Sequence, residues 1–75
     1  MTIQSYLVYP TPGSMEQVTA SLGALPGCEV HAAANRPVLV LVTEAPDAGA
    51  QRDLERSLES IGNVAYLALV SGWTE

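Results

Sequence analysis

The chain is short, acidic and poor in cysteine, and these properties exclude several classes of protein. Its 75 residues carry three arginines, no lysine and eight carboxylates, which give a formal net charge of −5. This length suffices for one domain, which we place at residues 1–75. The negative charge repels nucleic-acid phosphates and anionic lipid, so we expect neither a nucleic-acid partner nor insertion into a membrane.

The single cysteine, Cys28, leaves no possibility of an intramolecular disulfide and is typical of a protein in a reducing compartment. The opening MTIQSYLVYP has no basic region ahead of an apolar one, as an export signal would have. The longest apolar runs, VLVLV and VAYLALV, are far shorter than the roughly 20 residues that span a bilayer. We therefore expect a soluble, cytoplasmic protein.

The first half of the chain predicts a strand, a helix and a second strand. TIQSYLVY is rich in β-branched and aromatic residues and is followed by Pro10, Pro12 and Gly13, which favours a strand. Apolar residues then recur at every third or fourth position, as on one face of a helix. They are Met15, Val18, Leu22 and Leu25. Pro26-Gly27 ends this helix, and CEVHAA is predicted to be the second strand.

The second half repeats this order. ANRP is a tight connection into a strand, VLVLVT. Asp47 then caps a helix that is stopped by Gly62-Asn63, and VAYLALVS is the closing strand. The apolar stripe of this helix consists of Leu54, Leu58 and Ile61. A shift of 36 residues overlays this stripe on that of the first helix, and Pro46 on Pro10, which indicates two copies of one unit.

The predicted order is therefore β-α-β-β-α-β. Right-handed crossovers place both helices on the same face of a four-stranded antiparallel sheet. We predict an α+β fold, the ferredoxin-like βαββαβ sandwich. The opposite face of its sheet is left uncovered, and we expect function on that face or at an edge.

Strand side chains alternate between the two faces, and polar residues indicate which positions face outward. The polar strand residues Ser5, Thr43, Glu29 and His31 all have odd numbers. The odd-numbered positions of the strands are therefore predicted to face outward. The predicted uncovered surface is then Leu7, Tyr9, Leu39, Leu41, Leu67 and Leu69, bordered by Glu29, His31 and Ser71. The even positions of the last strand would be core, namely Val64, Tyr66, Ala68 and Val70. A bulge in that strand would instead bring Tyr66 and Val70 to the outer face. An apolar patch of this kind usually marks a binding surface.

Catalytic and metal-binding chemistry finds little support. Cys28 and His31 have opposite parity, so they lie on opposite faces of one strand and cannot share a metal ion. The cysteine is predicted to be a buried structural thiol. A single cysteine cannot hold an iron–sulfur cluster, and no phosphate-binding glycine loop is present. We expect no catalytic residue, no metal and no cofactor, and hence a binding module rather than an enzyme.

Four segments, SYLVY, LPGCEVHAA, VTEAPD and the closing LALV, carry a resemblance to a known family that covers nearly the whole chain. They resemble the NapD family, whose members are small cytoplasmic chaperones for the catalytic subunit of periplasmic nitrate reductase. The family often continues LV with Tyr-His, whereas here Ser71-Gly72-Trp73 follows and Trp73 is the aromatic residue available.

The resemblance implies binding of the twin-arginine signal peptide of the nitrate reductase precursor, which delays export while cofactors are inserted. We expect the chain to be a monomer or a weak dimer. We expect Glu29 to pair with a signal-peptide arginine, and the outer leucines with Tyr9 to receive the apolar segment of the peptide. His31 and Ser71 complete the border of this predicted site.

A second interpretation belongs to another class. ACT/Lrp-like domains, which sense small ligands or oligomerise through their sheets, carry a similar LPxVxxxHxV turn and strand. They usually follow it with a Gly-Tyr-Asp type of turn, where this chain has ANRP. Both functions use the uncovered sheet face.

Overall fold

The structure, a computed structural model, describes residues 1–74. Its elements are β1 (Thr2–Pro10), α1 (Met15–Gly23), β2 (Cys28–Ala32), β3 (Leu39–Ala45), α2 (Ala48–Ser60) and β4 (Val64–Thr74). The strands form one antiparallel sheet in the order β2-β3-β1-β4. The predicted βαββαβ order and ferredoxin-like α+β fold are confirmed.

Local chemistry explains where the helices begin and end. The Asp47 carboxylate accepts a hydrogen bond of 2.8 Å from the backbone N–H of Ala50, so Asp47 caps α2 as the sequence predicts. The stripe of α1 extends to Leu25, but the helix ends at Gly23 and Leu25 packs on the core from the following turn. Strand β4 continues to Thr74, beyond the predicted end at Ser71.

The turn before β2 depends on Gly27. Its φ of +74° lies in the left-handed region, which favours glycine. Its carbonyl oxygen accepts a hydrogen bond of 2.8 Å from the backbone N–H of Glu44, which ties the turn to the end of β3. A Cβ at this position would clash with the Glu44 carbonyl oxygen, closer than real contacts allow.

We expect Gly27→Ala to lower the free energy of unfolding by about 1–3 kcal/mol, because it combines left-handed strain with a backbone clash. Urea denaturation followed by circular dichroism measures this loss. Gly62→Ala provides the control, since a Cβ at Gly62 meets no atom within 4 Å. Equal stability of the two variants would contradict the role assigned to the Gly27 turn.

The core lies between the sheet and the two helices, and it corrects the prediction for β3. Leu39 and Leu41 were expected on the uncovered face, but both are 0% exposed and lie in the core. The register pairs Tyr6 of β1 with Leu41, and directly opposite residues share a face. Because Tyr6 faces the helices, so does Leu41, and the parity of β3 is the reverse of that in β1.

The polar residue that indicated the parity of β3 is itself buried. Thr43 is 0% exposed, and its hydroxyl oxygen has no hydrogen-bond partner among residues 1–74. It lies opposite Gln4 in β1 and Cys28 in β2, on the helix-covered side of the sheet. The predicted outward position of Thr43 was therefore wrong.

Two register shifts in β4 correct the prediction for the closing strand. Ser5 pairs with Ser71, but the next residue, Tyr6, pairs with Leu69, so Val70 has no direct partner in β1. Leu67 and Leu69 consequently lie on the helix side, and Tyr66 lies opposite Tyr9 on the other face. The expectation that Tyr66 and Val70 are core was wrong, since they are 63% and 60% exposed. It was also wrong for Ala68, which lies opposite Leu7 on the outer face. The alternative with a bulge is confirmed for Tyr66.

A polar network that the sequence did not indicate joins α2 to β1. The side-chain amide of Gln51 donates to Gln4 Oε1 at 2.6 Å and to Glu55 Oε1 at 3.0 Å. The Tyr6 hydroxyl donates to the same Gln4 oxygen. Burial raises the pKa of Tyr6, and the nearby Glu55 carboxylate raises it further. These bonds orient α2 on the sheet.

Candidate functional site: the uncovered sheet face

The sheet surface away from the helices, here called the outer face, is the candidate site. The strand register identifies its members, which lie on the side of the sheet away from the core. These members have side chains that are more exposed than those of the core residues. They are Ile3, Ser5, Leu7 and Tyr9 of β1, Glu29 and His31 of β2, Val40, Val42 and Glu44 of β3, and Tyr66, Ala68, Ser71 and Trp73 of β4. Apolar side chains hold its centre, where Leu7, Val40 and Val42 are half-buried.

The acidic part of the outer face lies on β2 and β3. The Glu29 carboxylate is 2.9 Å from His31 Nε2, and both side chains are largely exposed. Glu29 lies opposite Val42, and Glu44 follows two residues later on the same face. Such a diagonal separates side chains by about 7–8 Å, so two carboxylates project from one corner of the sheet. The arginines lie elsewhere, one in the β2–β3 connection and two in α2.

The aromatic part lies on β1 and β4. The rings of Tyr9 and Tyr66 pack edge to face, with centroids 5.6 Å apart and planes at 61°. A hollow of about 360 Å³ adjoins Tyr9 and is lined mainly by apolar side chains, including Pro10, Met15 and Pro37. Trp73 lies opposite Ile3 and is half exposed. The outer face thus runs from an aromatic border to an acidic one.

The structure keeps five of the nine predicted site residues together on this face: Leu7, Tyr9, Glu29, His31 and Ser71. Leu39 and Leu41 do not belong to the outer face, because they are buried in the core. Leu67 and Leu69 do not belong to it either, because the register of β4 places them on the helix side of the sheet. The sequence did not predict that Ile3, Val40, Val42, Glu44 and Trp73 lie on the outer face. It predicted Tyr66 on this face only in the alternative in which the last strand has a bulge. The reversed parity of β3 accounts for Val40, Val42 and Glu44.

Cys28 points toward the core, as its parity predicts, and packs at the border of the buried cluster. Burial raises the pKa of its thiol, which keeps it protonated and weakly nucleophilic at neutral pH. Among residues 1–74, no group of three or more histidine, cysteine or carboxylate side chains is arranged to hold a metal ion.

We expect iodoacetamide at pH 8 to alkylate Cys28 more slowly in the folded chain than in the chain unfolded by urea, since Cys28 packs against the core and its raised pKa leaves less thiolate. Mass spectrometry of timed samples measures the two rates. Equal rates would show that the thiol is exposed and contradict its structural role.

Comparison with known proteins identifies the family. The family model described as NapD protein matches residues 1–74. The solution structure of the E. coli Tat proofreading chaperone protein NapD superimposes with a TM-score of 0.79 at 27% sequence identity. The match covers 97% of this chain and 78% of that one. No curated protein matches the chain significantly.

The chain is a ferredoxin-like α+β domain with one uncovered sheet face. The chain belongs to the NapD family, which confirms the resemblance noted in its sequence and places it in a family of chaperones. Within residues 1–74, neither helix has the length and apolar character needed to cross a membrane.

Proposed function

We propose that the chain is a cytoplasmic chaperone for the catalytic subunit of a periplasmic nitrate reductase. On this proposal it binds the twin-arginine signal peptide of the precursor on the outer face and delays export until the cofactors are inserted. The observation that carries the proposal is the outer face itself, which combines an apolar centre with two carboxylates at one corner.

The dimensions of the outer face suit a helical peptide. Four strands spaced by about 4.8 Å span about 14 Å from β2 to β4. An α-helix with its side chains is about 10–12 Å wide, so one helix fits on this surface. Leu7, Val40 and Val42 contact its apolar side, and the hollow beside Tyr9 accepts a further apolar residue.

The acidic corner suits the paired arginines. Glu29 and Glu44 offer one carboxylate for each guanidinium group, and such pairs bind through two parallel hydrogen bonds. His31 Nε2 forms a hydrogen bond with Oε1 of Glu29. The other lone pairs of the Glu29 carboxylate can accept hydrogen bonds from a bound peptide. Within residues 1–74, the side chains of β1, β3 and β4 include no cation.

Two-dimensional ¹H–¹⁵N NMR with a synthetic signal peptide of the nitrate reductase precursor tests the proposal. We expect the peptide to shift the amide signals of Leu7, Tyr9, Val40 and Val42, while the exposed side of α2 stays unchanged. A matched peptide with both arginines replaced by glutamine should bind at least about tenfold more weakly. Shifts confined to the helices, or equal affinity for the two peptides, would refute the proposal.

A further inference from the structure

Strand β4 is an edge strand that carries no charged residue and no proline. Within residues 1–74 it pairs on one side only, with β1. Natural edge strands are protected from pairing by charged residues, proline or bulges, and of these β4 has only bulges, as at Val70. The other edge strand, β2, carries Glu29 and His31, whereas the eleven residues of β4 include no charged residue and no proline.

Two leucines beside this edge lack cover. Leu67 and Leu69 lie on the helix side of the sheet, opposite Val8 and Tyr6. They are nevertheless 36% and 58% exposed, because the helices do not extend over the outer half of β4. A peptide on the outer face cannot reach them from the opposite side of the sheet. The free edge and the two leucines therefore form a second surface, which we call the β4 edge.

We propose that the β4 edge binds a second copy of this chain. The two β4 strands pair antiparallel about a two-fold axis at Ala68, and they join the two sheets into one of eight strands. In this register Leu67 lies opposite Leu69 of the partner subunit, and the same contact recurs across the axis. Four leucines that are exposed in the single chain then cover one another.

Self-complementarity and charge favour a second copy as the occupant. Each of the two leucines in one β4 strand lies opposite a leucine of the paired strand. Tyr66 lies opposite Val70 of the partner subunit. The chain has a net charge of −5, but β4 contributes none of it, so this pairing brings no like charges into direct contact. The helices of both copies lie on one side, and both outer faces remain open on the other. The inference is independent of the proposed function.

Sedimentation velocity over about a hundredfold range of concentration tests the pairing. An interface of this small size is typically weak, so we expect a reversible monomer–dimer equilibrium. Leu69→Lys should raise the dissociation constant at least about tenfold, because two lysines would enter the leucine cluster. Tyr9→Lys introduces the same charge on the outer face and should leave the equilibrium unchanged. A wild-type chain that stays monomeric throughout would overturn the proposal. So would a dimer that only Tyr9→Lys dissociates, since that result places the contact on the outer face.

A cross-linking experiment tests the register. Cys28→Ala removes the native thiol, and Ala68→Cys then places one thiol on the two-fold axis. Directly opposite residues in paired strands have Cβ atoms about 4.5–5.5 Å apart, beyond the roughly 3.5–4.5 Å of most disulfides, so a short bismaleimide reagent rather than oxidation should link the two copies. Ala20→Cys in the same background places an exposed thiol on α1 and should stay monomeric. Equal cross-linking of the two variants, or none at position 68, would contradict pairing at the β4 edge.

Discussion

Leu41→Ala is expected to lower the free energy of unfolding by about 2–5 kcal/mol, the usual range for a leucine truncated in a core. Leu41 is 0% exposed and lies between Tyr6 and Val30 in the middle of the sheet. Domains of this size have a total stability of about 4–11 kcal/mol, so the loss is a large part of the whole. Urea denaturation followed by circular dichroism measures it, with a midpoint lowered by more than about 1 M.

Leu69→Ala is the matched control, since it removes the same atoms from a side chain that is 58% exposed. We expect it to cost less than about 1 kcal/mol at concentrations where the chain is monomeric. Similar small losses for both variants would place Leu41 on an exposed surface, as the repeat in the sequence suggests. The pair of variants thus tests the parity of β3 directly.

Glu29→Arg is expected to weaken binding of the twin-arginine peptide by at least about tenfold. The substitution removes one carboxylate of the acidic corner and places a third cation against two arginines. The side chain of Glu29 is 70% exposed, so the fold should be unaffected. Isothermal titration calorimetry at low salt measures the affinity, and the difference from wild type should shrink as salt screens the pair.

Glu59→Arg controls for the change in net charge, because it is the same substitution on the exposed side of α2. It should reduce the affinity by less than about twofold at moderate salt. An equal loss in both variants would show that only the overall charge matters. Unchanged affinity of Glu29→Arg would remove Glu29 from the binding site.

The order and type of the elements could be predicted because each depends on short-range chemistry. The stripe through Val18 and Leu22, the Asp47 cap and the Gly27 turn are all visible within a few residues of sequence. The faces of β2 could also be assigned, because Glu29 and His31 alternate with apolar neighbours that pack on the core. These two residues lie on the outer face as predicted.

The faces of β3 and β4 could not be assigned in the same way. VLVLV is apolar in both parities, and the one polar guide, Thr43, is buried. Which parity faces inward is set by the register with β1, a contact between residues about 35 positions apart. In β4, the skipped residue Val70 reverses the faces on its two sides, and the sequence AYLALV gives no sign of it.

The reversed parity alters the predicted site without changing its character. Leu39 and Leu41 are replaced on the outer face by Val40 and Val42, so the centre stays apolar. Glu44 is gained by the same reversal, and it adds a second carboxylate to Glu29. Sequence alone therefore predicts an apolar face with an acidic border, but the identity of its central residues depends on tertiary contacts.

The bare side of the sheet also has a thermodynamic consequence. Leu7, Val40 and Val42 are only half-buried, so part of the apolar surface of the chain still contacts water after folding. A ligand that covers these side chains binds the folded chain and not the unfolded one, and the stability it adds rises with the logarithm of its concentration over its dissociation constant. The melting temperature then depends on the fraction of chains that hold a ligand on the outer face. The ligand-free chain is the form that proteases degrade most readily.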